Sequence, residues 1–218
     1  MSESTTIRPD TSDMAAVHKV FRTSLAAGPD FLSSAAGDDE RRALIANYYA
    51  NLMAFLKVHH EGEEELVFPL LIERAPQHAG LVTQAEGQHA DVIGRLLAVS
   101  ESVNSWDLKG DPQAPDLLNA LRSLETSLMP HLDQEEAEIV PLAAEHLTPE
   151  EWGALPGHAM RSFDGDKIWL IIGLIRENFT PQQREAMLAN MPPPARDMWQ
   201  GFGESAFNDL IAEVRQTG

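Results

Sequence analysis

Two short segments carry residues able to hold a metal ion. His59 is followed by Glu63 and Pro69, and His131 by Glu135 and Pro141, so the two copies of His-x-x-x-Glu stand 72 residues apart. A further His precedes each copy at nearly equal distance, His18 before His59 and His89 before His131. Residues four apart on an α-helix share a face, so each pair turns an imidazole and a carboxylate toward one point. Two such pairs and two more His read as a two-metal site inside a helical bundle. The chain has no Cys, which excludes disulfides, iron–sulfur clusters and thiolate metal sites and leaves His and carboxylate as ligands.

The elements that must carry these residues follow from apolar periodicity and chain breakers. Met1 to Asp10 is polar, and Thr11, Ser12 and Asp13 offer N-caps to a helix through Met14, Val17, Val20, Phe21 and Leu25 that carries His18. Gly28-Pro29-Asp30 and Gly37-Asp38-Asp39 read as a loop. Glu40 to about Glu73 reads as one long helix bearing the first motif, kinked at Pro69. A third helix begins at Pro76 and carries His89 to about Val103. A fourth runs from Asp116 to about Glu145, with Pro130 and Pro141 distorting it on either side of His131 and Glu135. The predicted fold is all-α: an antiparallel four-helix bundle of two repeated hairpins over residues 11–147, followed by a helical extension over 148–218. The extension opens on a capping box at Thr148 to Glu151, contains three of the four Trp, and is expected to pack on the bundle or on a second subunit in a homodimer.

Composition narrows the function classes. Sixteen Lys and Arg stand against 34 Asp and Glu, a formal charge of −18 that argues against nucleic acid or an anionic membrane as partner. The strongest apolar run, Ile168 to Ile175, is too short to cross a bilayer, and the start shows no basic region leading into an apolar one, so a soluble cytoplasmic protein is expected. No phosphate-binding glycine loop, dinucleotide fingerprint or Ser-His-Asp order stands out.

Over residues 11 to 147 the doubled His-x-x-x-Glu with its matched upstream His resembles the hemerythrin-like proteins, the HHE cation-binding domain family. The resemblance implies a non-haem pair of iron ions, oxo- or hydroxo-bridged, with His18, His59, His89 and His131 as terminal ligands and Glu63 and Glu135 as bridging carboxylates. Oxygen-carrying members use a His-x-x-x-His on the third helix. Here Ala85 and Ile93 flank His89 at that spacing, and Glu135 stands where the carriers have Asp, which counts against reversible oxygen transport. The expected partners are small molecules: oxygen, hydrogen peroxide or nitric oxide. The expected function is a di-iron oxidoreductase, catalase- or peroxidase-like or nitric oxide-consuming, with an oxygen or iron sensor or an iron store as the alternative.

Two residues leave two readings each. His60, about 100° round the helix from His59, is either a further ligand or a group facing solvent or a neighbouring carboxylate. Tyr48, three turns before His59 on the same face, is either a core aromatic with a satisfied hydroxyl or a residue bonded to iron. His78, His146 and His158 have no counterpart in the repeat and read as surface or structural residues. Glu64 and Glu136 are equivalent in the repeat but form no helical pair with His59 or His131. Gly62, costly inside a helix, suggests an open path to the metals.

Overall fold

The computed structural model describes residues 8–216. Of the polar start, Met1 to Ile7 lie outside the described residues. Among the described residues the chain is helical throughout, with no strand, and no helix is long and apolar enough to cross a membrane.

Helix α1 (Asp13–Ala26) starts without the side-chain cap expected at Thr11 to Asp13. Asp13 instead accepts a hydrogen bond from the Trp152 indole at 3.1 Å, tying the extension to the head of α1. The expected loop after it contains a short helix, α2 (Gly28–Ser34), because Pro29 falls at a first-turn position where its missing N–H costs nothing. Asp38 caps α3 (Asp39–Gly62) by accepting from the Arg41 amide at 3.0 Å.

The expected long second helix is interrupted. Directly after Gly62 a π-helical turn spans Glu63–Val67, and α4 (Phe68–Arg74) completes the run. The repeat does the same: α5 (Ala79–Lys109) and α6 (Ala114–Gln134) are followed by a π turn at Glu135–Ile139 and by α7 (Val140–His146). In each wide turn the amide five residues on closes the loop, Phe68 to the Glu63 carbonyl and Val140 to the Glu135 carbonyl. Pro69 and Pro141 follow at once. A proline has no N–H for the α ladder, and the wide turn ahead of it re-pairs the backbone. Pro130, in contrast, sits inside α6, which continues through it.

Two apolar clusters fill the bundle and a polar layer separates them. The larger includes Val20, Phe21, Phe55, Leu56, Val92, Leu96, Leu128 and Leu132, and the smaller includes Met14, Val67, Phe68, Val82, Ala85, Ile139 and Leu142. Along α1 and α5 the chain passes from the smaller cluster through His18 or His89 to the larger. From α3 through its π turn into α4, and from α6 through its π turn into α7, the order is reversed.

The rest of the chain forms six more helices: α8 (Pro149–Trp152), α9 (Leu155–Ser162), α10 (Ile168–Asn178), α11 (Pro181–Asn190), α12 (Pro193–Met198) and, after a π turn at Trp199–Gly203, α13 (Glu204–Val214). Thr148 and Glu151 form the capping box that opens α8. Leu170 to Ile172, Leu174, Trp199, Phe207 and Val214 join the larger cluster, so the extension shares the bundle's core. Helix α10 packs on α1 and α3, and α9 on α3.

Leu124 is fully buried in the larger cluster, whereas Leu108 is 83% exposed. Leu124→Ala is expected to cost about 2–5 kcal/mol in urea unfolding, and Leu108→Ala to stay within about 0.5 kcal/mol.

Candidate metal centre

The polar layer brings together all six repeated residues. The Nε2 atoms of His59 and His89 stand 3.4 and 3.6 Å from the two oxygens of Glu63. Those of His18 and His131 stand 3.3 and 3.6 Å from Glu135 Oε2. Each carboxylate thus faces an imidazole from each half of the repeat. His60 is in the layer too: it is 1% exposed, and its ring stacks on His89 at 4.0 Å and meets His131 edge-on at 5.1 Å. Phe68 covers the other face of His89. Two sets of atoms able to share a cation result, His60 with His89 and His131, and His18 with His59, Glu63 and Glu135; within each set the ligand atoms lie within 4.8 Å of one another.

Hydrogen bonding fits a cation in this layer. Nε2 of His18, His59, His89 and His131, both nitrogens of His60, both oxygens of Glu63 and Oε2 of Glu135 are buried without a hydrogen-bond partner. A lone orphan of this kind costs about 1–3 kcal/mol, so nine gathered in one layer favour a shared partner. On three of the rings the outer nitrogen is already engaged. His18 Nδ1 donates to Glu136 at 2.8 Å, His89 Nδ1 to Glu64 at 2.9 Å and His131 Nδ1 to the Gln88 side-chain oxygen at 3.0 Å. A donor at Nδ1 leaves the Nε2 lone pair pointing inward, the form a metal requires.

Glu64 and Glu136 therefore have roles that their own helices did not disclose. Each anchors the single His of the other half, Glu64 that of the second and Glu136 that of the first. Their shared 72-residue offset was the available signal; the crossed pairing could be seen only in three dimensions. Arg22 holds Glu136 in place at 3.1 Å and also pairs with Asp133. The Gln88 amide has no repeat counterpart, since Val17 stands before His18 where Gln88 stands before His89.

The ligand reading of Tyr48 is corrected. Its hydroxyl is 2.6 Å from Ser24 Oγ, and its ring packs edge-on against Phe31 and Tyr49. Eleven residues of helix carry it about 16 Å along the axis from His59, so a shared face does not mean a shared site. Gly62 is no open path: α9 lies over it, with His158 and Leu155 side-chain carbons 3.3 Å from where a Cβ would stand. Among the unrepeated His, His78 is exposed and His146 half-buried, whereas His158 is buried at that contact.

Burial drives the electrostatics. It pushes His59 down to about 3, His89 and His131 down to about 4, and His60 well below its ordinary value. Burial also lowers His18, but the carboxylates of Glu135 and Glu136 outweigh it and leave that ring raised. Burial and the neighbouring Glu135 charge push Glu63 well above the usual carboxylate range. Neutral imidazoles are already in the metal-binding form, and a cation would hold Glu63 ionised.

Two outcomes are expected. Between pH 6.5 and about 4 the unfolded chain protonates His59, His60, His89 and His131 while the folded chain does not, so metal-free protein loses stability as pH falls. Glu63, raised from 4.5, opposes this as a single group, and His18 is protonated in both states across that window. The melting temperature of chelator-treated protein should be lower at pH 5 than at pH 7, and a flat or opposite profile would contradict the assignment. Tyr48→Phe, remote from the layer, should leave the absorption spectrum of iron-loaded protein unchanged.

No curated protein and no solved structure matches the chain. The family model described as hemerythrin HHE cation binding domain matches residues 10–143, a span that starts three residues before α1 and contains every member of the layer. The chain belongs to the hemerythrin HHE cation-binding domain family.

Proposed function

We propose that the layer holds two iron ions between the helices of an antiparallel four-helix bundle, and that the chain uses them on small oxidants, with hydrogen peroxide the foremost substrate and nitric oxide or oxygen the related ones. The observation that carries this reading is the convergence of buried, unpartnered imidazole and carboxylate atoms with no thiolate among them. That donor set suits iron, and carboxylates facing both halves suit a closely spaced pair. The reversed order of the two apolar clusters along alternate helices supports the antiparallel arrangement.

In this reading His60, His89 and His131 would hold one ion and His18, His59, Glu63 and Glu135 the other, with Glu63 also near His89 and Glu135 also near His131. A bound iron pair supplies two one-electron changes, the number needed to reduce or oxidise peroxide. The residues supply the rest. Glu64, Glu136 and Gln88 fix the tautomer of three imidazoles. The apolar clusters above and below the layer keep bulk water away, which strengthens each charge–charge contact inside. The repeat is unequal where it matters, because Leu132 occupies the position matching His60. One ion would then meet three imidazoles and the other two imidazoles together with the carboxylates.

The test is the metal content and optical spectrum of purified protein, followed by hydrogen peroxide with oxygen evolution recorded. Two irons per chain with turnover are expected. Two irons that bind azide or nitric oxide without turnover would instead favour sensing or storage, and a single metal or zinc would overturn the reading.

A further inference from the structure

Helix α9, which packs on Gly62, lies outside the span matched to the family, and its contact has no counterpart in the second half of the repeat. His158 is 6% exposed; its ring seats on Gly62, its Nδ1 stands 3.5 Å from Glu65 Oε2, and its Nε2 is buried without a partner. Gly62 and Glu65 bracket Glu63, which faces His59 and His89, and Glu64, which anchors His89. His158 therefore grips, from outside the bundle, both ends of the segment that presents Glu63 and Glu64.

The surrounding chain holds α9 against this segment like a strap. Before it, Arg74 pairs with Glu151 at 2.6 Å and Trp152 donates to Asp13. After it, Asp164 meets Lys57 at 3.1 Å, while Asn51 donates to Asp166 at 2.6 Å and accepts from the Lys167 amide at 2.8 Å. The seat admits no side chain at position 62 without displacing Leu155 or His158 by a few tenths of an ångström. In the second half Gln134 and Ala137 occupy the positions of Gly62 and Glu65, and Gln134 bonds instead to Gln84, Gln88 and Glu138. Among the described residues, this clamp falls on the first of the two repeated wide turns.

We propose that His158 is a positioning residue of the metal centre: it clamps the wide turn at 63–67 and so fixes the Glu63 carboxylate between the two halves of the site. The proposal rests on the di-metal reading of the layer, and two readouts keep the failure of either distinguishable. A π turn departs from the regular i→i+4 ladder of the helix on either side of it, so the direction in which its residues point is set by what packs on it. Holding it from outside limits how far Glu63 can swing from its ligating position, which slows the loss of metal.

The experiment compares wild type with His158→Ala, His158→Gln and Leu155→Ala. In metal-free protein, amide hydrogen exchange over 62–67 should accelerate in His158→Ala and return toward wild type in His158→Gln, whose side-chain amide can reach Glu65. In protein loaded with ferrous iron, extraction by an excess of chelator should speed up about tenfold in His158→Ala, on the scale by which partners of metal ligands alter affinity. The spectrum of the azide complex should shift with it. Leu155→Ala, which removes packing but leaves the Glu65 contact, should shift neither. Equal effects in Leu155→Ala and His158→Ala without rescue by Gln would reduce His158 to packing, and unchanged exchange would overturn the clamp. A wild-type protein that binds no metal pair would sink the di-metal reading, while the exchange experiment would still decide for or against the clamp.

Discussion

The rest of the structure depends on one unfavourable arrangement: five imidazoles and two carboxylates are withdrawn from water, and their inner atoms have no hydrogen-bond partner in the protein. Buried polar groups left this way oppose folding. Everything around the layer tolerates that cost or limits it. Leucine, valine and phenylalanine fill the bundle on both sides, and two carboxylates and an amide engage the outer nitrogens of three of the rings. What remains unsatisfied is directed inward, toward a common centre that a multivalent cation would occupy with a net gain.

The geometry of that centre is set by interruptions in regular structure. A straight α-helix through Glu63 and Pro69 would leave a carbonyl without its donor one turn before the proline. The wide turn absorbs the mismatch and starts at the glutamate of the polar layer itself, in both halves. The site is therefore built where the helices are locally irregular. The extension reinforces one of these irregularities and leaves the other to a network of glutamines.

Much of the site was legible in the sequence because its information is local. A His and a Glu four apart need only one helix to meet, and duplication at a fixed offset removed most accidental alternatives. His60 was ambiguous because 100° of rotation leads to the interior or to solvent depending on where the neighbouring helix lies. Tyr48 was misleading for the opposite reason: angular position is periodic along a helix, but distance keeps growing. Prolines at 69 and 141 announced a distortion without specifying a π turn, since a missing donor can be handled by a kink or by an extra residue. The pairing of Glu64 with His89 and the seating of His158 on Gly62 join residues 25 and 96 positions apart, beyond any pattern within one helix. The short helix at Gly28–Ser34 was hidden because Gly-Pro-Asp also writes a turn.

The crossed anchoring of the lone histidines bears on how the chain assembles. Glu64 belongs to the first hairpin and steadies a ring of the second, and Glu136 does the converse. Neither hairpin contains a finished half-site, because each supplies the other's orienting carboxylate and one of the imidazoles facing its glutamate. The full set of converging groups exists only once the hairpins have docked, so the affinity of the layer for a cation would report on the tertiary arrangement of the whole bundle and not on either hairpin alone.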